Sequence, residues 1–189
     1  MKTLLINNFS PYVSNIVKVL NDLNCDWTIY DSTNLSSFDP NFLSLLQKFD
    51  SVILSGRKQN SPMINKINSG IVKGCILLDK PLLGICYGGQ ILALTLGCTL
   101  KKMEKIQDTI KIDILKSSEL LPNTSSIEMY ESHSFCISKL SKNFTLLGSS
   151  EKCENELFCF NDKPLFGTQF HPEKSGKNGK YLFENFLKL

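Results

Sequence analysis

Apolar positions along the chain fall into two textures. Up to about Gly97, short apolar runs alternate with stretches of helical period. Thr3-Leu4-Leu5-Ile6 reads as a buried strand, Val13, Ile16, Val17, Leu20 and Leu23 share one helix face, and Trp27-Thr28-Ile29-Tyr30 reads as a second strand. Phe42, Leu45 and Leu46 then mark a short helix, and Ser51–Leu54 a strand that runs into the loop Ser55-Gly56-Arg57-Lys58-Gln59-Asn60. Ser61-Pro62 has the form of an N-cap followed by proline at the first helical position, and Ile64, Ile67, Ile71, Cys75 and Leu78 give that helix its inward face. Pro81–Ile85 is the next strand and Gly88–Leu96 the next helix.

Beyond Gly97 the runs are short and strand-like: Thr109–Ile114, Ser126–Tyr130, Phe144–Leu147, Leu157–Phe160 and Leu165–Phe170. A last helix, about Gly179 to Leu187, turns Leu182, Phe183, Phe186 and Leu187 inward. Strand–helix alternation followed by some antiparallel strands predicts a three-layer α/β/α domain with a mostly parallel mixed sheet. With 189 residues, 42% of them hydrophobic, and no repeat or linker-like stretch, one domain spanning residues 1–189 is expected.

Charge removes one function class. The 21 Lys and Arg are set against 18 Asp and Glu spread along the chain, a net +3 with no basic block, so sequence-independent nucleic-acid binding is not expected. The seven cysteines are scattered, contain no C-x-x-C pair and have two histidines as candidate co-ligands, which argues against a disulfide framework and a structural metal site. The N-terminus lacks the apolar stretch of a signal peptide, and no run approaches membrane-spanning length. A cytoplasmic chain with reduced thiols and no membrane partner is the expectation.

Candidate chemistry centres on Gly84-Ile85-Cys86-Tyr87-Gly88, where an apolar strand meets a helix through a small-x-nucleophile-x-small turn. Such an elbow lifts the thiol onto an exposed turn above the sheet, and both the helix N-terminus and a nearby imidazolium favour the thiolate. A small buried cysteine packed between glycines is the plainer alternative, and it suits the other six cysteines. A histidine partner has two candidates, His133 and His171. His171 follows an apolar strand in Gly167-Thr168-Gln169-Phe170-His171-Pro172-Glu173, and Glu173 can accept from one ring nitrogen while the other takes the thiol proton. Cys86, His171 and Glu173 would then form a Cys-His-Glu triad.

Together, G-I-C-Y-G-G-Q and G-T-Q-F-H-P-E resemble the two signatures of the class I glutamine amidotransferases, in the same order and at similar separation, over nearly the whole chain. The resemblance implies that family's flavodoxin-like fold and cofactor-free, metal-free chemistry. Cys86 would attack the side-chain amide of L-glutamine, His171 would carry the proton to leaving ammonia, and Glu173 would orient His171. The oxyanion would be held by the backbone N–H of Tyr87 and by one from Gly56 or Arg57. Gln90 would contact bound glutamine, and the Ser132-His133-Ser134-Phe135 segment would grip its α-amino and carboxylate groups, with His133 part of that wall.

The loop after the third strand departs from the family's S-G-G-P-G, because Arg57 stands where the second glycine would be. Loss of glycine's conformational freedom there implies a hole completed when a partner docks, or an Arg57 that reaches a substrate carboxylate or a partner surface. The chain also leaves no room for an acceptor-activating domain, so ammonia is expected to pass to a separate synthase. E-S-H-S and F-T-L-L-G-S-S-E resemble the glutaminase subunit of two-subunit GMP synthetases, which makes a GMP synthetase ATP-pyrophosphatase subunit the favoured acceptor. I-N-N-F-S-P-Y-V-S-N-I is similar to the anthranilate and aminodeoxychorismate synthase glutaminases, and H-P-E-K-S-G to that of imidazole glycerol phosphate synthase. A free-standing γ-glutamyl or amide hydrolase and an inactive regulatory module remain open on the same fold.

Overall fold

Parallel strands buried on both faces have to be almost wholly apolar or small, and four segments meet that demand. The computed structural model describes residues 1–35 and 42–189. It sets β1 (Lys2–Asn7), β3 (Ser51–Leu54), β4 (Leu82–Ile85) and β9 (Leu165–Thr168) side by side and parallel, with β2 (Asp26–Asp31) outside β1. The sheet continues through β8 (Leu157–Phe160), β7 (Phe144–Ser149), β5 (Thr99–Ile114) and β6 (Ser126–Lys139), all paired antiparallel, giving the order β2-β1-β3-β4-β9-β8-β7-β5-β6.

Successive side chains on a strand point to opposite faces, so each central strand feeds two cores. Leu4, Ile6, Val52, Leu54, Leu82 and Leu165 pack on the side of α2 (Phe42–Gln47), α3 (Pro62–Leu77) and α4 (Tyr87–Thr95). Leu5, Ile53, Leu83, Ile85 and Phe166 pack on the other side, with α1 (Val13–Asp22) and α5 (Gly176–Phe186). This is the expected three-layer arrangement with a mixed sheet. Ser61 caps α3 by accepting the backbone N–H of Ile64, with Pro62 in the first turn, as the sequence indicates. Among the described residues no helix is long and apolar enough to cross a membrane.

One element is larger than its pattern suggests. Apolar runs mark only Thr109–Ile114 and Ser126–Tyr130, whereas β5 begins at Thr99 and β6 continues to Lys139. Most of β5 is exposed or half-buried. This hairpin is held by main-chain pairing, which leaves little trace in hydropathy. Its extension matters because it carries His133, Ser134 and Phe135 over the end of the parallel strands.

Candidate functional site

All four central parallel strands point their C-terminal ends at one cavity of about 740 Å³, the usual ligand-binding edge of an open α/β sheet. Ser10, Tyr12, Arg57, Cys86, Gln90 and His171 are among its walls, as are Ser132 to Phe135.

Cys86 joins β4 to α4 with φ +50° and ψ −105°, a left-handed backbone rare for a residue with a Cβ. Small neighbours make that turn possible. A Cβ at Gly84 would lie 2.6 Å from the Gly88 backbone, and one at Gly88 would lie 2.4 Å from the Leu54 carbonyl oxygen. Tyr87 opens the helix, so its N–H is free of the helical ladder. Rather than standing on an exposed turn, Cys86 is buried, at 7% exposure. The walls rise above the elbow, and no local pattern could reveal that.

His171 is pinned from two directions. Its backbone N–H donates to the Tyr130 carbonyl on β6 at 2.7 Å, and the Ser175 hydroxyl donates to its carbonyl oxygen, also at 2.7 Å. Nδ1 meets Glu173 Oε1 at 2.8 Å, which leaves Nε2 for the sulfur. Burial works against the imidazolium, but the Cys86 sulfur and the Glu173 carboxylate outweigh it and hold His171 well above the ordinary histidine range. Tyr12 packs edge-on against the ring with centroids 4.9 Å apart. The structure thus brings together the three residues singled out by the two sequence motifs.

The third-strand loop is braced by a buried amide set. The Asn8 side chain donates to the Ser55 carbonyl, Asn8 and Asn68 pair through their amides, and the Asn8 N–H donates to the Ser55 hydroxyl at 2.8 Å. A Cβ at Gly56 would come within 3.2 Å of His171 Cε1, so this loop passes directly beside the imidazole. Arg57 is not among the non-glycine residues with left-handed φ, so the backbone there does not require a glycine. Its guanidinium donates to the Asn8 carbonyl at 3.1 Å and to the Gln59 carbonyl, and lies 6.0 Å from the Phe9 ring centroid. It ties the loop to the end of β1 while still lining the cavity.

His133 does not approach as a second partner for Cys86. Its Nδ1 lies 3.0 Å from the Phe135 carbonyl, an acceptor only, and its Nε2 lies 2.5 Å from Glu131 Oε2. Glu131 in turn hydrogen-bonds Glu156, itself fully buried. Glu131 Oε1 and Glu156 Oε2 have no donor among the described residues, so the pair is satisfied when one member keeps its proton. Burial first, then the Glu131 charge, pushes the Glu156 carboxyl up to about 9. Sequence reading missed this pair: Glu131 stands in the E-S-H-S segment with no role assigned to it, and Glu156 belongs to no motif.

A stability consequence follows from linkage. Between the ordinary carboxyl range, about 4.3, and about 9 the folded state holds a proton that the unfolded state has released, so stability falls as pH rises through that window. Glu156→Gln keeps the shape and stays neutral. It is expected to flatten the dependence of melting temperature on pH and to melt roughly 3 °C or more above the parent near pH 8. Identical, flat melting curves for both proteins would rule out the shared proton.

A cysteine elbow and a carboxylate-backed histidine, set at the strand ends of a doubly wound sheet, define a triad-type amide-hydrolysing scaffold. Residues 4–189 match the family model described as glutamine amidotransferase class-I, and the chain belongs to that family. It is 34% identical over 195 residues to a Methanosphaera stadtmanae protein named as a subunit of glutamine-hydrolyzing GMP synthase, covering 100% of this chain and 98% of the relative. A Thermoplasma acidophilum protein of the same name is 29% identical over 191 residues, 99% of this chain and 92% of its own. Among solved structures, one provisionally assigned as a GMP synthase subunit from Thermoplasma acidophilum superposes with a TM-score of 0.86 at 28% identity, over 100% of this chain and 92% of that one. A Thermotoga maritima glutamine amidotransferase shares the fold, with a TM-score of 0.79 at 18% identity, over 100% of this chain and 83% of that one.

Proposed function

We propose that this chain hydrolyses L-glutamine to glutamate and ammonia and delivers the ammonia to a separate GMP synthetase ATP-pyrophosphatase subunit. The observation that carries the catalytic part is the placement of His171 between the Cys86 sulfur and Glu173, with Cys86 and His171 lining a cavity large enough to admit glutamine. Cys86 attacks the side-chain amide carbon. Electrons from the carbonyl move to oxygen, where the Tyr87 N–H and one from Gly56 or Arg57 receive the developing charge. His171 passes its proton to the leaving nitrogen, and ammonia departs from a γ-glutamyl thioester. Water, deprotonated by His171, then attacks the thioester and expels the thiolate with glutamate. Glu173 holds the imidazole in one tautomer through both steps.

Gln90, Ser134 and Phe135, together with His133 behind them, are the proposed glutamine contacts. Gln90 uses its amide N–H groups on protein acceptors, so its carbonyl oxygen is the atom offered to the substrate. GMP synthetase is the favoured acceptor because the chain aligns end to end with relatives named as subunits of that enzyme. Cytoplasmic residence, a single domain and action without a metal complete the reading.

Glutamate release from glutamine, measured for the chain alone and then with the ATP-pyrophosphatase subunit, ATP and XMP, tests it. Stimulation by about tenfold or more is the expected result, in line with coupling energies between linked sites. Full activity alone, unmoved by the partner, would mark a free-standing hydrolase. Silence in every condition would mark a regulatory module.

A further inference from the structure

Asn and Gln amides can be drawn either way round, but in this cavity a backbone group settles the orientation of two of them in sequence. The Phe135 carbonyl can only accept. It lies 2.9 Å from the end of the Gln90 side chain, so the group facing it is the Gln90 NH2. The second hydrogen of that NH2 points at the end of the Gln169 side chain, 3.1 Å away, which therefore presents its oxygen. Gln169 is then left with its own NH2 facing the other way, 3.7 Å from Cys86 Sγ and within hydrogen-bonding reach of sulfur. Gln169 is 1% exposed, so its side chain is enclosed by the protein, and its backbone N–H is tied to the Glu156 carbonyl at 2.8 Å, which anchors the main chain at this position.

The geometry points to Gln169 as a fourth catalytic side chain, a fixed N–H donor that stabilises the Cys86 thiolate, with Gln90 the positioning residue that orients it. This rests on the reading of Cys86 as the nucleophile. A neutral amide suits the role. It can donate to a charged sulfur, yet it neither competes with His171 for the thiol proton nor repels the thiolate as a carboxylate would. The same donor acts twice in the cycle: it raises the thiolate fraction before attack, and it receives the sulfur charge again when the tetrahedral intermediate from thioester hydrolysis expels the thiolate. It also gives Gln90 two tasks, since its NH2 holds Gln169 while its oxygen faces the cavity.

Alkylation of Cys86 by iodoacetamide, followed by mass spectrometry of the Cys86 peptide, reads the thiolate directly because only the thiolate reacts. In Gln169→Leu the rate near pH 7 is expected to fall about tenfold, the size of one charge-assisted hydrogen bond, while the rate near pH 10, above the ordinary range of a cysteine thiol, stays within about twofold of the parent. Gln169→Glu, which keeps an acceptor for Gln90 but loses the donor, should slow alkylation near pH 7 at least as much. Gln90→Leu, at a half-buried cavity position, should slow it a few-fold by freeing the Gln169 amide, and it reads the relay without disturbing the interior. In glutamine hydrolysis the two Gln169 variants should lose about tenfold in kcat, with KM within about twofold.

An unchanged alkylation rate near pH 7 in the Gln169 variants would overturn the assignment. So would a loss of equal size near pH 7 and pH 10, which would mean altered access rather than lost thiolate. The wild-type controls keep the two readings apart. A parent protein with pH-dependent, Gln169-sensitive alkylation but no glutamine hydrolysis under any condition would sink the proposed function and leave this inference standing.

Discussion

Cys86→Ala is expected to remove glutamine hydrolysis, by about 10⁴-fold or more, while the melting temperature stays within a few degrees of the parent. The size comes from the loss of a covalent route: without sulfur there is no thioester, and what remains is the binding and the N–H donors acting on water. The small structural cost comes from the site. Cys86 already occupies a left-handed turn that alanine tolerates no worse. Although the residue packs at the margin of one core, its sulfur faces His171 and Gln169 where it lines the cavity, so the change removes one small atom and keeps the Cβ. The variant should still bind glutamine, visible as a rise in melting temperature with added substrate. Glutamate release at the parent rate would end the thioester mechanism.

Gly179→Ala should do the opposite, damaging the fold first and the chemistry through it. Alanine in a helix is ordinarily worth about 1 kcal/mol more than glycine, so a helix-propensity view predicts a gain. Packing reverses the sign. A Cβ on Gly179 would lie 1.7 Å from the Pro172 carbonyl oxygen and 2.6 Å from its carbon, backbone atoms that cannot rotate aside. Pro172 sits between His171 and Glu173, so α5 must retreat or the tight turn carrying Glu173 must shift. About 3 kcal/mol of destabilisation is expected, with a fall of roughly 6–12 °C in melting temperature. A displacement approaching 1 Å in that turn would cost glutamine turnover about 100-fold even below the melting transition. Differential scanning calorimetry and glutaminase assays at low temperature separate the two effects. Parental melting and parental activity would show that α5 does not need this close approach.

Gly179 also illustrates the limit of sequence reading, since the chain read on its own places the glycine near the start of the last helix and nothing more. What lies 1.7 Å from an absent methyl belongs to a residue seven positions earlier, brought there by the turn after β9 and the seat of α5 on the sheet. Gly84 and Gly88 were legible because nucleophile and glycines lie within five residues, and local spacing is enough to imply an elbow.

The sequence by itself determined the layer order, the two motifs that carry Cys86, His171 and Glu173, and the family. Hydrophobic period and short-range spacing report the local backbone, and the two motifs are each contiguous. Only the tertiary structure decided the depth of Cys86, the conformation at Arg57, the long β5–β6 hairpin and the placement of Gln169, Glu131 and Glu156. Main-chain pairing leaves no hydropathy signature. The partners of a buried glutamine or glutamate are set only when the fold strips it of water and fixes what meets its polar end, as happens to Gln169 between Gln90 and a cysteine 83 residues away.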